Sequence, residues 1–382
     1  MRFAFTEEQE ALRDSARSFL AEHSSSEQVR RAMQSELGFA PELWKAISAD
    51  LNWPAVSVPE EHGGLGLGAV ELAALLEAMG ETLLCAPFFS SVCLGANALR
   101  VAGSQAQQRE LLPAIAEGRT LATLAAFEPD KSWDAGRIEA SARRQGGDYL
   151  LSGRKRFVLD GHCADLLVVA ARSEGSRGEE GLSLFAVEAG SKGVERRALP
   201  TLDPTRRLAE IELRGVRVPA SALLGEEGSG GAALARIRDL AAIALAAEQV
   251  GGAQRCLDLA VAHAKSRVQF GRPIGSFQAI QHKCADMMLK VESARSAAYY
   301  AACVAAEDSP ELARMASLAK ACCSDAYFQC AADSLQVHGG VGFTWEYDVH
   351  LHLKRAKWAE SFLGDPVYHR ERVARLIGLG TV

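Results

Sequence analysis

The sequence predicts an α+β chain built in three consecutive blocks, helical, then β, then helical again. Apolar residues recur at helical spacing through residue 118, at a period near two over 119–224, and at helical spacing again over 225–382. The strands fall in one run instead of alternating with helices, which separates this chain from a βαβ fold. The expected domains are therefore 1–118, 119–224 and 225–382.

The first block opens with Thr6 and Gln9 at capping-box spacing, and Leu12, Ala16, Phe19 and Leu20 then follow one helical face. Pro41 suits the first turn of a helix over 41–51. The run VPEEHGGLGLG at 58–68 breaks the pattern with its glycines and predicts a loop. An Ala/Leu-rich stretch over 70–84 predicts a buried helix, and QQRELLPAIAEG predicts a shorter one that Gly118 ends.

In the second block, strands are expected at 121–127, 149–159, 166–171, 182–187 and 208–218. The last is the clearest, because Ile211 and Leu213 alternate with Glu210, Glu212 and Arg214 as a half-wet sheet requires. Gly146-Gly147-Asp148 predicts a turn. In the third block, residues 232–269 form an Ala/Leu-rich helix with little polar surface, which belongs in a bundle core or a subunit interface. Further long helices are expected over 277–306 and 309–337.

Composition narrows the function. A chain of 382 residues with 48% hydrophobic and 24% charged residues is neither disordered nor membrane-spanning, and no stretch reaches the ~20 apolar residues of a membrane helix. Its 42 basic and 48 acidic residues leave a net charge of -6 without a basic block, which argues against nucleic acid or an anionic membrane as partner. The nine cysteines are scattered, with no C-x-x-C pair for zinc or redox chemistry, and fit small buried residues in a reducing compartment. The start, MRFAFTEEQEALRDSARSF, is acidic and amphipathic instead of signal-like. A cytoplasmic protein without metal is the expectation.

Two glycine-rich stretches invite a nucleotide reading. Gly228-Ser229-Gly230-Gly231 lacks the strand and βαβ surroundings that give a dinucleotide fingerprint its meaning. His338-Gly339-Gly340 follows a long helix, and fits either a glycine-terminated helix end or a backbone brought close to a ligand. The segment from Arg267 to His282 is richer, since it gathers Arg267, Gln269, Phe270, Phe277 and Gln278 around a Gly-Arg-Pro break. Arginine can clamp a pyrophosphate and phenylalanine can lie on an aromatic ring. The residues alone leave a surface turn and a cofactor contact both open.

The runs RVQFGRPIGSFQAIQHKCADM (267–287), QVHGGVGFTWEYDVHLHLKRAK (336–357) and PEEHGGLG (59–66) resemble the acyl-CoA dehydrogenase family. FEP (127–129) and GRKRFVLDG (153–161) resemble its two flavin-side segments more loosely, and the match spans essentially the whole chain in order. The resemblance implies a C-terminal four-helix domain, bound FAD, an acyl-CoA substrate, and electrons passed to an electron-transfer flavoprotein. It also implies a tetramer, either of this chain alone or shared with a related subunit. Arg267 would contact the FAD pyrophosphate of a neighbouring subunit, with Gln269, Phe270, Phe277 and Gln278 across the same interface. Gln336, Gly339 and Gly340 would receive the adenosine–pyrophosphate half, and Phe157 and Leu159 would flank the isoalloxazine ring. Phe127 stands where the family has a flavin-contacting threonine, and the small residues that follow are replaced by Asp130-Lys131-Ser132-Trp133.

The base is where the resemblance breaks. Desaturation of an acyl thioester removes a proton from Cα, so a carboxylate must face the substrate from the side opposite the flavin. The commonest family site, a Glu-Gly pair, is Leu363-Gly364 here, and the second, on the long helix, is Ala241. Asp239, Glu360 and Asp365 lie close by in sequence, with helix-surface charge or capping as their plain alternatives. Two functions follow: a flavin-dependent desaturase, or a catalytically incomplete subunit that holds flavin or acyl-CoA in a hetero-oligomer.

Overall fold

The computed structural model describes residues 5–128, 135–178 and 180–380. The chain divides into two compact units, each assembled from separated stretches: Ala32–Leu67 with Cys85–Ala241, and Met1–Arg31 with Gly68–Leu84 and Ala242–Val382.

The first unit is organised by a sheet of eight strands: β1 (Ala122–Ala125), β2 (Ser141–Gln145), β3 (Asp148–Leu159), β4 (Leu166–Ser173), β5 (Leu182–Glu188), β6 (Val194–Leu199), β7 (Leu208–Pro219) and β8 (Leu223–Leu224). Their order is β6-β7-β3-β2-β4-β5-β8, with β1 alongside β4 in parallel. All five expected strands are present. The two longer additions, β2 (SARRQ) and β6 (VERRAL), carry mostly exposed charged side chains, so they show no alternation to read. Gly146-Gly147 closes a two-residue hairpin between Gln145 and Asp148, with Gly146 at φ 64° as such turns demand. The sheet buries Leu151, Leu167, Val169, Phe185, Ile211 and Leu213 in one core.

The second unit is helical. It combines α1 (Glu7–His23) and α4 (Ala69–Glu81) with α8 (Gln278–Ala306), α9 (Leu312–His338), α10 (Val349–Ser361), α11 (Pro366–Leu376) and the later part of α7 (Gly230–Ser266); the chain also forms α2 (Ser26–Gln34), α3 (Pro41–Lys45), α5 (Asn97–Ala102) and α6 (Gln105–Ala116). The Thr6 capping box forms: Gln9 N donates to Thr6 Oγ1 at 3.3 Å and Thr6 N to Gln9 Oε1 at 3.0 Å. Helices α4 and α7 touch backbone to backbone, since a methyl on Gly251 would collide with the Glu77 carbonyl and one on Gly80 with the Glu248 carbonyl.

The apolar stretch of α7 belongs to the core. Ala253, Cys256, Leu257, Ala260 and Ala264 are buried against Met287, Val291, Tyr327 and Cys330 of α8 and α9. Of the two places expected for this helix, a bundle core and a subunit interface, the first is observed, because α8 and α9 cover it within the chain. The large apolar side chains left exposed stand elsewhere, among them Phe270, Phe343 and Trp345. Among the described residues no helix is long and apolar enough to cross a membrane, and no cluster of side chains suits a metal ion. All nine cysteines are free thiols.

Candidate flavin and acyl site

In the sheet unit the two flavin-side segments lie together. Arg156 N donates to the Phe127 carbonyl at 2.9 Å. Lys155 Nζ, fully buried, donates to Glu128 Oε1 at 2.6 Å and to the Ala126 carbonyl at 3.2 Å. Glu128 in turn accepts from the backbone nitrogens of Glu139 and Ala140, each at 2.9 Å. Burial pulls the Lys155 amine down to about 8, against the opposing pull of Glu128. The pair anchors both segments from inside the sheet. Pro129 and the Asp130–Trp133 replacement lie outside the described residues.

A bulge between Lys155 and Val158 puts Phe157 in the left-handed region at φ 59°. That conformation is rare for a bulky residue and leaves the ring half-exposed, with the Arg156 guanidinium 5.3 Å from its centroid. Leu159 is different. Its side chain is 0% exposed and its carbonyl accepts from Thr123 Oγ1 at 2.7 Å, because the bulge turns both Val158 and Leu159 into the core. Of the two, Phe157 is the side chain presented outward.

In the helical unit, the end of α7 runs into a tight hairpin, β9 (Val268–Gln269) with β10 (Arg272–Pro273). Its two-residue turn is Phe270-Gly271 at φ 55° and 77°. Phe270 is 92% exposed in this strained conformation, with Phe277 edge-on at 6.0 Å and Arg272 4.1 Å over the Phe277 ring. Arg267, Gln269 and Gln278 are exposed, as are Gln336, Gly339 and Gly340 at the end of α9. Gly339 has φ 63° and ψ -143°, a region only glycine occupies readily, and a methyl at Gly339 or Gly340 would meet open space.

A ring stack gathers the two segments: His263, one turn before Arg267, lies 4.2 Å from His338, the residue before Gly339. A guanidinium, three amide side chains, two accessible aromatic rings and a bare, open glycine backbone therefore share one end of the unit. That donor set fits a flavin dinucleotide: a cation for pyrophosphate, amides for polar ring edges, and aromatic faces for stacking.

At the two places where a base is sought, the side chains are apolar and buried, Leu363 at 1% and Ala241 at 0% exposure. Leu363 holds φ 63° in the turn between α10 and α11. Glu360 pairs with Lys357 at 2.6 Å, and Asp365 is exposed and caps α11 by accepting from Tyr368 N at 2.7 Å. Asp239 is buried, unlike a surface charge, but residues two apart lie about 200° apart around a helix, so it faces away from Ala241.

Other buried charges of this unit had escaped the sequence reading. Lys320 is fully buried beneath the Leu363 turn, and Arg355 pairs with Glu248 at 2.6 Å. The signal available was a lone Lys or Glu inside an Ala-rich helical stretch.

The sequence matches the acyl-CoA dehydrogenase N-terminal domain over residues 6–119, the middle domain over 123–216 and the C-terminal domain over 229–378. It is 34% identical over 372 residues to acyl-CoA dehydrogenase IpdE2 of Mycolicibacterium smegmatis, covering 97% of this chain and 98% of that protein. The chain belongs to the acyl-CoA dehydrogenase family. Among solved structures, butyryl-CoA dehydrogenase of Megasphaera elsdenii is similar at 28% identity and TM-score 0.92, over 99% of this chain and 100% of that one. A chain of the ChsE4–ChsE5 complex of Mycobacterium tuberculosis is 29% identical with TM-score 0.90, over the whole of both chains. As an acyl-CoA dehydrogenase family member the protein is an FAD-dependent oxidoreductase, of a family that typically assembles as tetramers.

Proposed function

We propose that this acyl-CoA dehydrogenase catalyses α,β-desaturation of an acyl-CoA thioester with electrons passed to an electron-transfer flavoprotein, in a tetramer that includes a related subunit. Bound FAD supplies the acceptor for the hydride that leaves Cβ. Arg267 neutralises pyrophosphate charge, Gly339 and Gly340 offer backbone without side-chain obstruction, and Phe270, Phe277, Gln269 and Gln278 complete the ring and amide contacts to a neighbouring subunit's cofactor. Phe157 covers the ring from the sheet side.

The observation that carries the reading is the convergence of Arg267 and Gly339 at one end of the helical unit through the His263–His338 stack. The proton at Cα needs a carboxylate, and the apolar Leu363 and Ala241 favour its delivery by the related subunit. A similar fold occurs in a two-protein complex, ChsE4–ChsE5, which supports such a division of labour.

The test is an assay with electron-transfer flavoprotein and a panel of linear, dicarboxylic and steroid side-chain acyl-CoAs. It compares the chain alone with the chain co-expressed with a family member that keeps the Glu-Gly pair. The proposal expects flavin in the purified protein and turnover that rises about 10²–10⁴-fold on co-expression. A colourless assembly, or turnover independent of the second chain, would overturn it.

A further inference from the structure

His263 and His338 do more than fill space between α7 and α9. Their rings stack with planes 25° apart, and Tyr347 stands edge-on to both, 6.3 Å from His263 and 5.7 Å from His338. Arg267 N donates to the His263 carbonyl at 2.8 Å, so the ring and the start of the Arg267 hairpin belong to one rigid turn. On the other side, His338 Nδ1 lies 2.7 Å from the Ser334 carbonyl, which can only accept, so that nitrogen carries the proton. This bond fixes the ring immediately before Gly339, and a side chain on Gly342 would press on His338 Cβ at 3.1 Å.

Burial, His338 and Arg267 all hold the His263 imidazole below its ordinary pKa. A second positive charge on His263 is thus disfavoured beside the Arg267 guanidinium. An apolar pair would pack equally well in a core. The imidazole pair occupies the junction between the guanidinium and the open glycine backbone, with Arg267 one helical turn beyond His263 and Gly339 next to His338 in sequence.

We infer that His263 and His338 are positioning residues that set the spacing between the Arg267 guanidinium and the Gly339–Gly340 backbone, and so select for the adenosine–pyrophosphate half of the cofactor. This rests on the reading of that end as the FAD contact. FMN lacks the adenosine and the second phosphate, so it does not extend to this end. A positioning role therefore weakens FAD alone, whereas a general packing role weakens both flavins together.

The experiment measures Kd for FAD and for FMN, by flavin fluorescence quenching on the full-length assembled apoprotein. It compares wild type with His263→Ala, His338→Ala, the His263→Phe/His338→Phe double variant and Arg267→Ala. Either alanine variant is expected to raise the FAD Kd about ten-fold while FMN stays within about two-fold, and the Phe pair to restore FAD to within about three-fold. If His338→Ala does not fold, His263→Ala at the half-exposed ring decides. Equal weakening of both flavins overturns the inference, as does unchanged FAD affinity in the alanine variants while Arg267→Ala loses it. Unchanged FAD affinity in Arg267→Ala removes the cofactor reading itself, and this inference with it.

Discussion

The buried amino group of Lys320 donates to the Gly364 carbonyl at 3.0 Å and to the Glu360 carbonyl at 3.2 Å, while His369 Nε2 meets the Leu363 carbonyl at 3.0 Å. The turn that presents residue 363 is held from both flanks. Its side chain, Leu363, is apolar and buried, at the position that the family resemblance matches to the base.

Removing that support should be costly. Lys320→Met leaves the buried Gly364 carbonyl and the part-buried Glu360 carbonyl without this donor, and each lost partner costs about 1–3 kcal/mol. Chemical denaturation should show a loss of roughly 2–5 kcal/mol, on the same scale. Burial also lowers the Lys320 amine from 10.5 to about 7. The unfolded chain then holds more protons than the folded one between those values, so wild-type stability should rise with pH through that window. A Lys320→Met profile as steep as wild type would refute the assignment.

The Lys155–Glu128 pair makes a second stability prediction. Glu128→Ala strands a buried cation and frees the Glu139 and Ala140 nitrogens, and breaking such a pair costs about 3–5 kcal/mol. Because the pair also ties the Phe127 and Phe157 segments, the flavin absorption band should shift in any variant that still folds. A change below ~1 kcal/mol would mean the pair is idle.

Acid should act through His352. Burial and the nearby Arg255 depress this imidazole from 6.5 to about 3, and Tyr327 Oη lies 3.0 Å from its Nδ1. The sign is that of a group kept neutral by folding: stability is full above pH 6.5 and falls as pH drops toward 3. A His352→Phe variant that folds should flatten that limb, and an unaltered acid limb would exclude His352 as its source.

Arg267→Ala tests the anion contact alone. Loss of a charge-assisted bond to phosphate is worth about 1.5–3 kcal/mol, so FAD affinity should fall roughly 10- to 150-fold without loss of secondary structure. Equal flavin occupancy in the variant at limiting FAD would show that Arg267 does not touch the cofactor.

The legible features were those written in local pattern. Thr6 with Gln9, the Gly146-Gly147 hairpin and the alternation around Ile211 follow from a few neighbouring residues, and each is in place. β2 and β6 were hidden, because pairing with β3 and β7 holds them and not an apolar face of their own. Nor does any local pattern say that α1 and α4 share a unit with the C-terminal helices. That follows from long-range ties such as Arg17 and Arg295, each 3.3 Å from Glu77. At the site, Arg267, Phe270 and Gly339 could be picked out as residues on a break in helix, whereas a lone Lys320 in an Ala-rich helix stands out only through its burial. Leu159 matched a motif, and only the bulge before it reveals that its side chain turns inward.

In the proposed reading, this acyl-CoA dehydrogenase keeps its flavin scaffold while Leu363 and Ala241 leave both positions matched to the base apolar. It is tested most directly by anaerobic flavin reduction in the purified lone chain, wild type against Leu363→Glu, with an acyl-CoA panel. Wild-type flavin should stay oxidised or bleach slowly, and reduction should be faster by about 10²-fold or more once the held turn carries a carboxylate. Fast bleaching of the wild-type chain, undiminished in Asp239→Asn, Glu360→Gln and Asp365→Asn, would contradict it.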